Sequence, residues 1–191
     1  MPEVEGQVRV EELDAEREAR RQLALAQIRQ YPDPALRMQA HEVTSFDDDL
    51  RRLVERMSAL MQDANGVGLA ATQVGVVRRV FVFTRTDDEE PTPVVNGTIT
   101  QRAGELVTDE EGCLSLQRVL VPVERHERVT LDGQSLDGSP LHLELEGIDA
   151  RIAQHELDHL DGVLILDRTT AESRKEALGI LRRQPVLGLR P

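Results

Sequence analysis

The stretch that decides the fold is GIDARIAQHELDHL, residues 147–160. Its apolar residues recur at near-helical spacing, which predicts an amphipathic helix with one buried face. His155 and His159 are four residues apart, so both imidazoles lie on one face, one turn apart. Two such imidazoles can bind one metal ion, and Glu156 can reach a water at that ion without ligating it. The helix therefore predicts two metal ligands and a general base within one turn.

A catalytic metal site of this kind needs a third protein ligand. A zincin-type endopeptidase would place a histidine where this chain has Ile165, or a glutamate on a later helix, for which Glu172 and Glu176 are candidates by position alone. Upstream, the single cysteine, Cys113, lies in the segment EGCLS. A thiolate is a strong metal ligand, and binding a metal deprotonates the thiol. Residue spacing leaves both interpretations open, with Cys113 the better ligand.

A third segment, GVGLAATQ at residues 66–73, surrounds one amide side chain with small residues. Gly66 and Gly68 predict a strand that another backbone approaches closely. Gln73 can donate an N–H group to an oxyanion that develops during catalysis. Taken alone, the segment is more typical of a turn that leads into a strand.

Together, the three segments resemble the peptide deformylases, which carry G-φ-G-φ-A-A-x-Q, E-G-C-φ-S and H-E-φ-D-H in this order, where φ is apolar. GVGLAATQ, EGCLS at residues 111–115 and HELDH at residues 155–159 match every position of these motifs. The resemblance extends from about residue 31 to about residue 168. The sequence differs from the family pattern at Gln117-Arg118, where many members have a Pro-Gly pair at the rim of the substrate cleft.

The resemblance implies a metal-dependent hydrolase that removes the formyl group from formyl-methionyl nascent peptides and releases formate, a step in N-terminal methionine processing. The residues that it assigns are Cys113, His155 and His159 for the metal; Glu156, Gln73 and the backbone N–H of Leu114 for catalysis; and Val67, Gly68 and Gly112 for the bound peptide. It also implies ferrous iron as the metal in the cell, with zinc, nickel or cobalt in purified protein. The implied partner is the nascent chain at the exit region of the ribosome.

The composition fits one globular domain and argues against several other classes of protein. The chain has 191 residues, of which 39% are hydrophobic and 30% charged. A net charge of −12 and an aromatic content of 2% argue against a nucleic-acid interface. No apolar run is long enough to span a membrane, and the acidic start lacks the apolar core of a secretory signal. A single cysteine cannot form an internal disulfide, which predicts the cytoplasm as the compartment.

The remaining patterns predict an α+β fold, with small antiparallel or mixed sheets packed around the helix that carries HELDH. The other predicted elements are helices at about residues 47–63 and 171–182, strands at residues 76–85, 119–131 and 140–146, and turns at Asp132-Gly133 and Asp137-Gly138. The predicted segments are a charged extension at residues 1–27, partly helical or disordered, a catalytic domain at residues 28–170, and a C-terminal helix and tail at residues 171–191.

Overall fold

The computed structural model describes residues 3–182, and side chains from residue 14 onward. The helices are α1 (Glu3–Leu25), α2 (Asp48–Asp63), α3 (Gly147–Leu160), α4 (Ile165–Arg168) and α5 (Ala171–Leu181). The strands are β1 (Gly68–Ala70), β2 (Val80–Phe83), β3 (Thr92–Cys113), β4 (Leu116–Gln134) and β5 (Pro140–Glu146). The strands form one antiparallel sheet in the order β1-β2-β3-β4-β5, so the predicted α+β class is confirmed.

Helix α2 forms where the sequence predicts it, because its start is capped and its apolar residues recur on one face. The Asp47 side chain accepts a hydrogen bond from the backbone N–H of Leu50 at 3.0 Å, which satisfies one of the free donors at the helix start. Val54, Met57 and Met61 are buried on the inner face. This face packs on β1 and β2 and forms part of the core.

Helix α3 is the central element of the fold and carries HELDH, as predicted. It follows β5 directly, because Gly147 has a φ of +57°, a left-handed conformation that lets the chain turn sharply from strand to helix. Its buried alanines, Ala150 and Ala153, let the helix approach the sheet closely, and Leu157 and Leu160 fill the space beside them. The histidines are thereby held against the strands.

Strand β3 is the longest element that the sequence analysis missed, and the short helix α4 is another. Most of its side chains from residue 98 to 110 are exposed, so the segment lacks the alternation of apolar and polar residues that identifies a half-buried strand. Its pairing with β4 is also interrupted by four register shifts. The segment therefore forms a strand through its pairing with β4, a long-range contact that no local pattern encodes.

The prediction of a turn at Asp132-Gly133 is wrong, because both residues lie within β4 and pair with β5. Gly133 is required there for a different reason: a Cβ atom at this position would lie 2.9 Å from the backbone oxygen of Val95. The glycine thus allows β3 to pass close to β4. The second predicted turn, Asp137-Gly138, does connect β4 to β5.

The N-terminal segment ends inside the core. Ala24 and Leu25, in the last turn of α1, and Ile28 just after it are buried against α2 and β1. Beyond this junction, the backbone N–H of Arg29 donates to the carbonyl of Gln73 at 2.7 Å. The end of α1 is therefore fixed next to the GVGLAATQ segment. Within the described part of the chain, no helix is both long and apolar enough to cross a membrane.

Candidate active site

Three possible metal ligands converge between the end of β3 and the C-terminal half of α3. The ligand atoms of Cys113, His155 and His159 all lie within 4.8 Å of one another, and the Cys113 Sγ is 3.2 Å from the His159 Nε2. Ligands that bind one ion at about 2.0–2.3 Å lie at separations of this kind. One thiolate and two imidazoles suit zinc and the late first-row metals, so the residues present fit a divalent metal ion.

A buried ionic cluster orients His155. The Nδ1 atom of His155 hydrogen-bonds to a Glu111 carboxylate oxygen at 3.0 Å, which leaves its Nε2 atom available to a metal. Arg125 donates to both oxygens of Glu111 at 2.9 Å, and Arg151 donates to one of them at 2.7 Å. Burial raises the pKa of Glu111, but hydrogen bonds from His155 and Arg125 outweigh it and hold that pKa far below its usual range. Glu111 is therefore an anion that fixes the His155 ring.

This cluster was not foreseen from the sequence, although a signal was present. Arg125 follows Val121 and Val123 at two-residue spacing, and both valines are buried. A strand residue in that register must also point inward, and a buried arginine requires buried acidic partners. Asp158, on α3, is the second of those partners, at 2.5 Å from the Arg125 guanidinium.

Glu156 lies in the wall of the same site, and its environment differs from that of Glu111. Its Oε2 atom is buried and has no hydrogen-bond partner among the described residues. Burial, the largest influence, raises the pKa of Glu156 to about 7. Near neutral pH such a carboxyl group can both accept and donate a proton.

The side chain of Gln73 is held in one orientation. Its Oε1 atom accepts from the backbone N–H of Ala70 at 2.8 Å, while its Nε2 atom donates to the Ser115 Oγ at 3.1 Å and lies 3.7 Å from the Cys113 Sγ. The amide oxygen is thereby turned toward β1 and the N–H groups toward the cysteine. This orientation suits a hydrogen-bond donor to a negatively charged oxygen beside the three possible ligands.

The two glycines of GVGLAATQ are crowded by side chains as well as by the backbone that the sequence predicts. A Cβ atom on Gly66 would lie 3.4 Å from the backbone oxygen of Met61. A Cβ atom on Gly68 would lie 2.8 Å from the Glu156 Cδ, and one on Gly66 would lie 2.7 Å from the Leu114 Cδ1. Gly68 therefore leaves the space in which the Glu156 carboxylate rests.

One cleft of about 570 Å³ opens onto these residues. The predicted site residues that line it are Val67, Gly68, Gln73, Gly112, Cys113, Leu114, His155 and Glu156. His159 lies beneath them and is 1% exposed. Arg118, at the rim, has a φ of +62°, the left-handed conformation that favours the glycine of the common Pro-Gly pair.

The alternative third ligands lie elsewhere. Glu172 and Glu176 are exposed on α5, and neither belongs to the metal-binding group found among residues 14–182. Ile165 is buried and cannot ligate a metal. The structure thus gives no support to a zincin-type ligand set.

Comparisons with known proteins agree on one family. A family model described as Polypeptide deformylase matches residues 25–175. Peptide deformylase 1 of Corynebacterium glutamicum is 44% identical over 162 residues, covering 84% of this chain and 96% of that protein. A peptide deformylase of Desulforudis audaxviator is 45% identical over 157 residues, covering 81% of this chain and 100% of that protein. The crystal structure of a peptide deformylase from Synechococcus elongatus superposes with a TM-score of 0.78 at 38% identity, covering 86% of this chain and 91% of that one.

Proposed function

This chain belongs to the polypeptide deformylase family, and on that premise we propose how its residues remove the formyl group from the N-terminus of nascent peptides. The family is metal-dependent. The observation that carries the proposal is the meeting of Cys113, His155 and His159 with Glu156 and Gln73 at one cleft. This combination supplies a ligand set, a general base and an oxyanion donor side by side.

Cys113, His155 and His159 are the proposed ligands of one divalent ion, with ferrous iron as the metal in the cell. Zinc, nickel and cobalt suit the same ligand set in purified protein. When bound, such an ion lowers the pKa of a water molecule and polarises the formyl carbonyl. Glu111 supports the site by fixing the ring of His155.

Glu156 is the proposed general acid and base. Its carboxylate accepts the proton of the water that attacks the formyl carbon, and it then donates this proton to the departing amine nitrogen. An amine is a poor leaving group until it is protonated, so the second transfer matters as much as the first. The buried, unpartnered Oε2 atom and the pKa of about 7 both support this double role.

Gln73 and the backbone N–H of Leu114 are the proposed donors to the oxyanion formed when the formyl carbon becomes tetrahedral. The contact between Gln73 and Ala70 supports this role, because it turns the N–H groups toward Cys113 before substrate binds. A fixed donor of this kind stabilises the transition state by about 3 kcal/mol.

The peptide is proposed to bind as an added strand beside Val67, Gly68 and Gly112. Strand β1 is at the edge of the sheet, so one side of its backbone is not paired with another strand. Ile148 and Ile152 also line the cleft and supply an apolar surface for the unbranched methionine side chain. The proposed substrate is therefore an N-formyl-methionyl peptide.

The cellular setting follows from this substrate. Formylated nascent chains emerge at the exit region of the ribosome, which is the proposed partner, and the cytoplasm is the proposed compartment, where a lone thiol stays reduced. Residues 28–170 remain the proposed catalytic domain, between the N-terminal extension and the C-terminal helix.

The test is release of the free N-terminal amine from one tripeptide in three forms: formyl-Met, formyl-Ala and acetyl-Met. The formyl-Met form should be hydrolysed fastest, because the apolar wall favours methionine and the site next to Gly68 has little room for an acetyl methyl group. Metal content is measured on the same samples. Equal rates with formyl and acetyl peptides, or rapid cleavage of casein at internal bonds, would contradict the proposal.

A further inference from the structure

The cleft has a wall that comes from outside the three motifs. Glu18, Arg21, Gln22 and Leu25 of α1 line it together with Gly112, Cys113 and Glu156. These α1 residues are spaced i, i+3, i+4 and i+7, so they form one continuous side of the helix. We refer to Glu18, Arg21 and Gln22 as the polar face of α1.

The polar face of α1 is held in position at its C-terminal end. Leu25 is 1% exposed and belongs to the same core cluster as Leu69, with Leu114 packed against it. Just beyond the helix, the Gln30 side chain donates to the Leu114 carbonyl at 3.0 Å. One end of the wall is therefore fixed beside the residue that follows Cys113, and the helix extends outward from there.

The polar groups of this face are also ordered relative to one another. The Gln22 Nε2 donates to a Glu18 carboxylate oxygen at 2.5 Å, and the Arg21 guanidinium lies 3.5 Å from the same oxygen. The Gln22 Oε1 and the other guanidinium N–H groups of Arg21 have no partner among the described residues. An amide oxygen and guanidinium donors match the N–H and C=O groups of a peptide backbone.

The length of the polar face corresponds to a short stretch of peptide. A helix rises about 1.5 Å per residue, so Glu18 lies about 6 Å along the axis from Gln22. An extended chain advances about 3.3 Å per residue, so the same distance spans about two residues. A cleft of 570 Å³ lies in the range of about 300–1,000 Å³ that accommodates drug-sized ligands, which are larger than a formyl-methionyl group.

We propose that the polar face of α1 is a distal subsite that binds the backbone of the third and fourth residues of the formylated peptide. This inference rests on the proposed function, since the peptide's formyl end must lie at Glu156 for its later residues to reach α1. The subsite recognises main-chain groups, so it favours longer peptides without selecting their side chains.

The experiment compares two neutral substrates, formyl-Met-Ala amide and formyl-Met-Ala-Ser-Ala amide, with the full-length protein. The variants are Gln22→Ala, the double variant Arg21→Ala/Gln22→Ala, and Arg20→Ala as the matched control, because Arg20 is exposed and lies outside the cleft lining. Alanine is the best helix former, so these changes preserve α1.

For the four-residue peptide, the double variant should lose about tenfold in kcat/KM and Gln22→Ala about threefold, as expected for lost hydrogen bonds. The loss should appear in KM with kcat unchanged, because the contact is the same in the ground and transition states. For the two-residue peptide, both variants should remain within about twofold of the parent, as should Arg20→Ala with either peptide.

Equal losses with both peptides, or no loss with either, would overturn the distal subsite while leaving the proposed function intact. A parent enzyme that releases no formate from either peptide would overturn the proposed function, and the subsite with it. Melting temperatures measured on all variants identify any loss that comes from unfolding.

Discussion

Gly68→Ala should disable the enzyme without unfolding it. The added Cβ atom would lie 2.8 Å from the Glu156 Cδ, whereas ordinary contacts begin at 3.4 Å, so the carboxylate must move by at least about 0.6 Å. Gly68 is not among the glycines with positive φ, so its backbone accepts alanine. A misplacement of about 1 Å can cost 10²-fold in rate, and we therefore expect kcat to fall by about 10- to 100-fold.

The assay is formate release at saturating formyl-Met peptide, with metal content and melting temperature measured on the same preparation. Metal content should equal that of the parent, since Gly68 contacts none of the three proposed ligands in the atoms nearest its Cβ position. Gly138→Ala is the matched control: its φ of +82° strains an alanine by about 1 kcal/mol, in a turn away from the cleft lining.

Gly138→Ala should therefore lower the melting temperature by about 2–4 °C and leave kcat unchanged, the opposite signature to that of Gly68→Ala. A Gly68→Ala enzyme with kcat within about twofold of the parent would refute the reasoning, because it would mean that the carboxylate position does not limit the rate. Loss of metal from this variant would refute it equally, since the defect would then lie in the ligands.

Three further substitutions test other parts of the site. Glu156→Ala should retain near-stoichiometric metal and lose about 10²-fold or more in kcat, and full activity would exclude Glu156 as the general base. Cys113→Ala should lose most of its bound metal in elemental analysis, because two protein ligands remain; unchanged metal affinity would require another third ligand. Arg125→Ala should lower the free energy of unfolding in urea by about 3–5 kcal/mol, because it leaves Glu111 and Asp158 buried without their shared cation, and a loss below about 1 kcal/mol would contradict this account.

The sequence predicts the parts of the fold that local patterns encode. Helix α2 and the helix that carries HELDH were located because their apolar residues recur and their ends are marked by capping or by glycine. Strand β3 was missed because its exposed side chains give no periodicity. Gly133 was predicted to lie in a turn, but it lies in β4. A turn and a close approach of two strands both require glycine, so the residue type alone cannot distinguish them.

In the candidate site, too, some features were predicted from the sequence and others were not. Spacing left the third ligand open, and the resemblance to the deformylases predicted that Cys113 would join the two histidines; the structure brings the three together. The support that Glu111 gives to His155, and the wall that α1 contributes, depend on contacts between segments far apart in the chain. Such contacts have no local pattern, so only the folded structure reveals them.

The sheet has an unpaired strand edge at each end. Such an edge can bind a substrate peptide, but it can also pair with another protein and promote aggregation. At one end, β5 begins with Pro140 and exposes His142, Glu144 and Glu146, features that discourage another protein's strand from pairing there. At the other end, β1 is only three residues long and fully buried, recessed at the cleft. Only Gly68 of this strand lines the cleft, so the edge offers a short stretch of backbone to a single extended chain and leaves no room for the edge of a folded sheet.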